Sequence, residues 1–301
     1  PVGLVAEYTF ESGDGADTAP SPLGKQIDGV LRGGPMTYIM MGLGKKWTWL
    51  AVLFCLGTLF SALVTGNSIQ SNEVASGLNE LFGIERWMGG LIVAILVFIV
   101  IIGGIKSIGN VAEKVVPFMA ATYIAMALIA LILNFQDLPE TFGRIFGGAF
   151  NMQSASGGFA GAMIIIAIRA GVARGLFSNE AGQGSTAIAH AVAQTNDPEQ
   201  QGRMAMLGTF IDTIVICTMT ALVVIVTGTW NDPTIPQSAG VSLTTAAFGS
   251  AVDWFPYILT GCIALFAYST MISWCYYGER GWIYLLDHAG NSGLKSVIVF
   301  R

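Results

Sequence analysis

Charged residues are scarce in this sequence: Asp, Glu, Lys and Arg together make up 11% of the 301 residues, against about 25% in an ordinary soluble domain. So little charge cannot cover the surface of a water-soluble globular enzyme of this length. The formal net charge is −5, so there is no basic excess to meet the phosphates of a nucleic acid. These absences exclude a soluble enzyme and a nucleic-acid-binding protein.

Cysteine and histidine are also few, with four and two residues. The cysteines have no C-x-x-C spacing, and neither His190 nor His288 has a carboxylate or a nucleophile beside it. The sequence therefore predicts no catalytic triad, no metal centre and no enzyme activity. We interpret the cysteines as small buried apolar residues: Cys55, Cys217, Cys262 and Cys275.

Hydrophobic residues are abundant, at 53% of the chain, and the mean hydropathy is +0.64. A helix needs about 20 apolar residues to cross about 30 Å of hydrocarbon, and six charge-free windows reach roughly that length. The sequence therefore predicts an all-α integral membrane protein with six spans. We name them A to F: 47–68, 87–105, 115–134, 158–192, 204–228 and 254–277.

The distribution of Lys and Arg predicts the orientation of the spans. If the N-terminal segment is cytoplasmic, only Arg86 and Arg144 fall in outside loops, and the remaining loop cations fall inside. Cytoplasmic loops carry the excess of Lys and Arg in multi-pass proteins. The inside residues are Lys25, Arg32, Lys45, Lys46, Lys106, Lys114, Arg203, Arg280, Lys295 and Arg301.

Three regions follow from this reading. Residues 1–46 are expected to be a cytoplasmic segment, in which Glu11–Leu31 reads as a flexible loop because it is rich in Gly, Asp, Ser and Pro. Residues 47–278 are expected to be the six-helix core. Residues 279–301 are expected to be a cytoplasmic tail with the start of a further helix, so the chain is expected to be a fragment of a longer transporter-like protein.

Span D contains the most informative stretch. An apolar helical segment is followed by glycines, Ser, Asn and charges between Arg174 and Ser185. This composition predicts an interrupted helix, and broken helices at membrane depth line the sites of secondary transporters. The alternative is that span D ends near Arg174 and that the remainder is a cytoplasmic loop.

The residues of this stretch closely resemble the signature of the alanine or glycine:cation symporter family, the sodium:alanine symporters. The signature reads Arg-Gly-Leu-Phe-Ser-Asn-Glu-Ala-Gly-Gln-Gly-Ser over 174–185 and continues in 187–191. Three further blocks agree in order and spacing: 33–38, 66–72 and 269–280.

The resemblance implies a LeuT-type fold of two inverted five-helix repeats and cation-driven uptake of small neutral amino acids. Spans A to F then correspond to the third to eighth core helices, so the fold is expected to be partial. The implied partners are the lipid bilayer, alanine or glycine, and a sodium ion as the coupling ion, with no cofactor. The expected location is the cell membrane, as a multi-pass protein of a prokaryotic inner membrane.

The resemblance also implies a set of site residues. The cation is expected at the hydroxyls of Ser269 and Thr270, and Phe177 and Trp274 are expected to limit the size of the substrate. The residues expected to bind the amino acid are Gln70, Gly175, Phe177, Ser178, Asn179, Thr270 and Trp274.

Each assignment has a simpler alternative. Gln70 fits an interfacial amide cluster, and Phe177 fits ordinary packing. Ser and Thr hydroxyls in a helix often bond to the carbonyl one turn earlier, and Trp274 fits an anchor at the membrane interface.

Charges at membrane depth are expected to be paired or functional. Arg174 and Glu180 flank the predicted break and are expected to hold its halves together, and Asp212 is expected to accept an arginine, from either Arg169 or Arg174. A gating or proton-linked role is the alternative. A transporter coupled to protons instead of sodium is the alternative function within the transporter class. A membrane channel is the alternative from a different class, although the sequence contains no repeated filter motif.

Overall fold

The computed structural model describes residues 25–27, 30–150, 158–193, 197–235, 240–290 and 297. The expected loop before residue 25 lies outside the described residues, as does the expected tail beyond residue 290 apart from Val297. The described part begins with an antiparallel pair of strands, β1 (Lys25–Ile27) and β2 (Val30–Arg32). The predicted flexible loop therefore contains strand residues at 25–27 and 30–31.

Helices make up most of the described chain, and two of their continuous runs contain π-helical segments. The π segments are Ala62–Ser68 and Phe210–Cys217, and short 3-10 turns lie at Lys45–Trp47, Phe135–Asp137 and Thr229–Asn231. The α-helices are α1 (Pro35–Leu43), α2 (Thr48–Ser61), α3 (Ile69–Phe82), α4 (Arg86–Ile102), α5 (Gly104–Leu133), α6 (Leu138–Phe150), α7 (Gly158–Asn179), α8 (Thr186–His190), α9 (Pro198–Thr209), α10 (Thr218–Val226), α11 (Gly240–Ala251) and α12 (Phe255–His288).

Four helical runs of the described residues are long and apolar enough to cross a membrane: Lys45–Phe82, Gly104–Leu133, Pro198–Val226 and Phe255–His288. They correspond to spans A, C, E and F. Span B forms the apolar helix α4, which is shorter at 17 residues. Span D forms α7, which carries two arginines. Within the residues that the structure describes, four of the six predicted spans thus coincide with helices that are long and apolar enough to cross a membrane.

The helices extend beyond the predicted spans. Helix α12 continues to His288, although the predicted core ended at residue 278. Glu279 and Arg280, expected in a cytoplasmic tail, are buried within this helix. The guanidinium of Arg280 lies 4.7 Å from the ring centre of Tyr276, so a cation–π contact and the neighbouring carboxylate let these charges stay inside the helix packing.

Large apolar side chains are exposed along these helices. Phe60, Ile99 and Ile132 are each more than 60% exposed. A water-soluble domain would bury such residues against a core, whereas the hydrocarbon of a bilayer solvates them. The exposed surface therefore suits lipid.

The described chain forms two compact units. The first unit comprises the residues up to Met119, together with Gly184–Leu207 and the chain from Cys262 onward. The second unit comprises Ala120–Gln183 and Gly208–Gly261.

The core of the first unit is built by α2, α12 and the short helix α8. Cys55, Ile188, Ile272 and Tyr277 are almost completely buried in it. Glycine allows close approach between helices: a Cβ placed on Gly281 would lie 3.3 Å from the carbonyl oxygen of Cys55. Small residues at helix contacts are typical of membrane proteins.

The core of the second unit is aromatic. Phe248 of α11 lies between Tyr123 of α5 and Phe255, with ring centroids 5.5 and 6.4 Å away. The hydroxyl of Tyr123 hydrogen-bonds to Thr220 of α10. This hydrogen bond satisfies the polar end of a buried aromatic side chain.

Candidate functional site

In the first unit, the helical run Lys45–Phe82 contains the π segment Ala62–Ser68, which ends two residues before Gln70. A π turn shifts the backbone hydrogen-bond register from i−4 to i−5, and such turns are frequent at functional sites. The hydroxyl of Ser68 donates to the carbonyl of Leu63, at 2.7 Å. A side chain thus satisfies a carbonyl five residues earlier, which helps to stabilise the wider turn.

Trp274 of α12 packs against this π segment. A Cβ placed on Gly66 would lie 2.4 Å from Cγ of Trp274, so only glycine permits the contact. Trp274 is 3% exposed. Its indole and the ring of Tyr277 pack edge to face, with centroids 5.5 Å apart. Next to it, Asn67 Nδ2 donates to Cys275 Sγ at 3.4 Å. Trp274 therefore packs in a core rather than at an exposed interface.

The other predicted residues of the first unit lie on the helical run Lys45–Phe82 and on α12. Gln70 is half-buried one turn beyond Gly66, and its side chain has no hydrogen-bond partner in the described part of the chain. Ser269 and Thr270 hydroxyls both donate to the carbonyl of Phe266, at 2.9 Å. This is the back-bonding that the sequence left open as an alternative, and each hydroxyl oxygen retains acceptor capacity for a further ligand.

The predicted break of span D lies where the chain leaves the second unit, after Gln183, and it begins later than expected. Helix α7 continues through Gly175, Phe177 and Ser178 to Asn179. The chain then turns over residues 180–185 before α8 begins at Thr186. The glycine at 175 is tolerated inside α7 because its neighbours favour helix, whereas Gly182 and Gly184 fall in the turn itself.

The turn is fixed by two residues in the left-handed backbone region, Glu180 with φ of 57° and Gly184 with φ of 75°. Asn179 initiates it, since its Oδ1 accepts a hydrogen bond from the backbone N–H of Ala181 at 3.0 Å. Such Asx turns compete with helix continuation. Residues 158–192 are therefore not one continuous helix, and the helix ends at Asn179 rather than near Arg174.

Replacing Gly184 by alanine should destabilise the fold. The left-handed backbone costs an alanine about 1–2 kcal/mol, and a Cβ there would lie 3.1 Å from Cγ of Pro35. We expect a lower apparent melting temperature of the intact protein in detergent.

The matched control is Gly202→Ala, in α9, where a Cβ would meet open space and alanine favours helix by about 1 kcal/mol. An equal melting temperature for Gly184→Ala and the unchanged protein would contradict the strained turn.

Polar side chains join the end of α7 to the second π segment. Ser178 Oγ donates to Asp212 Oδ2 at 2.5 Å, and Asn179 Nδ2 donates to Thr213 Oγ1 at 2.9 Å. Thr213 Oγ1 lies 3.4 Å from the same oxygen of Asp212. The sequence predicted Ser178, Asn179 and Asp212 but gave them different roles, and it missed Thr213.

The arginines do not make the predicted ion pairs. Arg169 and Arg174 are exposed, and within the described residues neither forms a salt bridge. Glu180 is 6% exposed, so it is turned inward while Arg174 is turned outward. Asp212 accepts hydrogen bonds from hydroxyls where an arginine was expected. A helix that continues to Asn179 places Arg174 on an outer face of α7.

These observations define a class: a multi-helix membrane protein whose polar residues gather at a broken helix and at π turns, as in transporters. The chain belongs to the sodium:alanine symporter family, whose family model matches residues 24–300. The family is one of transporters and not of enzymes.

Individual relatives agree with this placement. The chain is 42% identical over 273 residues to the sodium/alanine symporter AgcS of Methanococcus maripaludis, covering 89% of this chain and 58% of the relative. An uncharacterised transporter of Haemophilus influenzae is 40% identical over 277 residues, covering 91% of this chain and 58% of the relative. A putative sodium/proton-dependent alanine carrier protein of Bacillus subtilis, YrbD, is 37% identical over 290 residues, with 90% and 58% covered. The chain thus spans less than two thirds of the length of these relatives.

Proposed function

We propose that this chain is part of a secondary active symporter that takes up small neutral amino acids, alanine and glycine, with a sodium gradient. The observation that carries the proposal is the family match over residues 24–300, which includes every candidate site residue. Two of the relatives described above are named as alanine carriers that use sodium or sodium and protons. We further propose a LeuT-type fold and a prokaryotic cell membrane with the N-terminal segment cytoplasmic.

Within the first unit, we assign Gln70, Thr270 and Trp274 to amino-acid binding. Gln70 supplies an amide without a partner among the described residues, and Thr270 supplies a hydroxyl oxygen. Trp274 supplies a rigid apolar wall, because Gly66 and Tyr277 hold its ring. An amide, a hydroxyl and an aromatic wall suit a small zwitterion without a charged side chain.

Within the second unit, we assign Gly175, Phe177, Ser178 and Asn179 to the substrate path. No atom lies within 4 Å of a Cβ placed on Gly175, so a small molecule can approach the backbone of α7 there. Phe177 is half-buried two residues further along the helix. Aromatic and small residues side by side restrict a path by size rather than by charge.

We assign the coupling ion to Ser269 and Thr270 of α12. Their hydroxyl hydrogens point to the carbonyl of Phe266, which leaves oxygen lone pairs for a hard cation. The test of the whole proposal is uptake and counterflow of labelled alanine in proteoliposomes that contain the intact protein, with sodium present or replaced by choline. Uptake that follows a pH gradient and ignores sodium would favour proton coupling, and no carrier-dependent uptake would reject the proposal.

Thr270→Ala should raise the sodium concentration needed for half-maximal alanine uptake by about 10-fold, the lower end of what removing a supporting ligand costs a metal site. Thr227→Ala is the matched control. Thr227 is also half-buried, and its hydroxyl also donates to a carbonyl four residues earlier, Val223, at 2.8 Å. An unchanged sodium dependence in Thr270→Ala would remove this residue from the proposed cation site.

A further inference from the structure

A positively charged turn opens the membrane-spanning run Lys45–Phe82 of the first unit. Between residues 33 and 72 the sequence contains only two charged residues, Lys45 and Lys46, and no acidic one. Both lie in the 3-10 turn Lys45–Trp47, and both are exposed. Within the described residues, neither ammonium group forms an ion pair. The turn therefore presents two positive charges that no described carboxylate balances.

Side chains fix the position of this turn beside an aromatic surface. The hydroxyl of Thr48 donates to the carbonyl of Lys45 at 2.7 Å, and it lies 3.3 Å from Sδ of Met40 in α1. The indole of Trp47 is exposed and stacks on that of Trp49, with ring centroids 6.0 Å apart. Trp is enriched at the level of the lipid headgroups, and the ammonium group of Lys extends to the same level. The turn therefore has the composition of a membrane interface.

An exposed apolar stripe runs along the helix from this turn. Its members recur at intervals of three and four residues, so they share one face of the helical run. They are Leu53, Leu56, Phe60 and Leu63, each more than 50% exposed. The opposite face packs into the core through Ala51, Cys55, Thr58 and Ala62, each at most 5% exposed. Because these core contacts fix the rotation of the helix, the stripe faces outward.

The dimensions of this surface match a phospholipid. From Leu53 to Leu63 the stripe is about 15 Å long at 1.5 Å per residue, which equals the hydrocarbon thickness of one leaflet, half of about 30 Å. Lys46 precedes Leu53 by seven residues, or about two helical turns, so it lies near the same face, at the end where a headgroup belongs. A free phosphate ion would contact only the lysines, whereas a phospholipid contacts the lysines and the stripe.

The charge of the turn specifies the kind of phospholipid. A zwitterionic headgroup carries an ammonium group that the lysines repel, whereas an acidic headgroup carries a negative charge that they balance. Acidic lipids attract basic residues next to a membrane span, and each Lys or Arg near the surface raises the affinity about 5-fold. An acidic headgroup therefore fits this turn better than a zwitterionic one.

We propose that Lys45, Lys46 and Trp47 bind the headgroup of one acidic phospholipid, whose acyl chains lie along the stripe from Leu53 to Leu63. The two ammonium groups hold the phosphate, and the indole of Trp47 lies between the headgroup and the chains. Neither the amino acid nor the coupling ion takes part, so this site goes beyond the proposed transport function. The bound lipid stabilises the turn that joins α1 to the membrane-spanning run.

The test is lipid binding by the intact purified protein in detergent, followed by native mass spectrometry during titration with dioleoylphosphatidylglycerol or dioleoylphosphatidylcholine. The unchanged protein should bind the acidic lipid more tightly. The double variant Lys45→Gln, Lys46→Gln should lower that affinity about 25-fold, about 5-fold for each charge, and leave the affinity for phosphatidylcholine unchanged. The double variant Leu53→Ala, Leu56→Ala keeps both charges and should weaken the binding of both lipids. All four side chains are exposed, so these variants should fold.

The matched control is the double variant Lys106→Gln, Lys114→Gln, which removes the same charge from exposed lysines of α5 in the same unit. It should bind phosphatidylglycerol as the unchanged protein does. A preference for phosphatidylglycerol that persists without Lys45 and Lys46, or that falls equally in the control, overturns the site. Displacement of the acidic lipid by an equal concentration of glycerol 3-phosphate would overturn the lipid as the occupant.

The lipid site and the proposed function can fail independently, because lipid binding is measured without alanine. Acidic-lipid binding that depends on Lys45 and Lys46, in a protein that takes up no alanine, supports the site and rejects the symporter proposal. Sodium-driven alanine uptake by a protein that binds both lipids equally has the opposite meaning.

Discussion

Replacing Gly66 by alanine should disrupt the packing of the first unit and abolish most alanine uptake. The new methyl group would lie 2.4 Å from Cγ and 2.5 Å from Cβ of Trp274, closer than any carbon contact allows. The indole is wedged against Tyr277, so it cannot move away without disturbing the core. Overpacking of this kind costs about 1–3 kcal/mol, and it shifts the π segment that precedes Gln70.

The measurements are the apparent melting temperature of the intact protein in detergent and alanine uptake in proteoliposomes. Gly57→Ala is the matched control, because Gly57 lies on α2, in the same helical run, and a Cβ there meets no atom within 4 Å. We expect Gly57→Ala to keep or raise the melting temperature. Equal behaviour of the two variants would show that the contact between Gly66 and Trp274 does not form.

Replacing Trp274 by alanine should change which amino acids are transported. The indole is the largest apolar wall among the residues assigned to the substrate in the first unit, and its removal leaves room for longer side chains. One methylene group more or less in such a pocket changes discrimination by about 1–3 kcal/mol, or roughly 10–200-fold. We therefore expect weaker alanine uptake and new uptake of larger neutral amino acids such as leucine.

Loss of stability has to be separated from this effect, because removal of a buried Trp costs about 3–5 kcal/mol and Trp274 is 3% exposed. Trp274→Phe retains an aromatic ring and should give the same shift in substrate range with a smaller loss of stability. Trp49→Ala serves as the control, since Trp49 is 59% exposed. An unchanged substrate range in folded Trp274→Ala and Trp274→Phe would remove Trp274 from the site.

The sequence alone determined the class of protein. Scarce charge and long apolar windows require a solvent other than water, and this follows from composition without any knowledge of packing. The signature over 174–185 was enough to indicate the family and the interrupted helix. Glycine, Ser and Asn in close succession lower the helix propensity of a segment, so an end to the helix within this stretch was predictable.

Local pattern could not determine where the interruption begins. Gly175 lies inside α7 and Gly184 lies in the turn, although both are glycines in one signature. The difference comes from the Asx turn at Asn179 and from the close approach of Gly184 to Pro35. Helix propensities of a few tenths of a kcal/mol are overridden by such tertiary contacts.

The partners of the polar residues were likewise decided by the tertiary structure. The sequence placed Asp212 and two arginines within the predicted spans and so suggested an ion pair. The direction in which α7 faces instead brings Ser178 to Asp212 and leaves Arg174 exposed. The π segment Ala62–Ser68 also follows no sequence period, since a side chain, that of Ser68, satisfies the carbonyl of Leu63. Composition and signature thus determine the membrane class and the family. Helix rotation and packing decide which side chains meet, because rotating a helix by a few tens of degrees about its axis exchanges one neighbouring side chain for another.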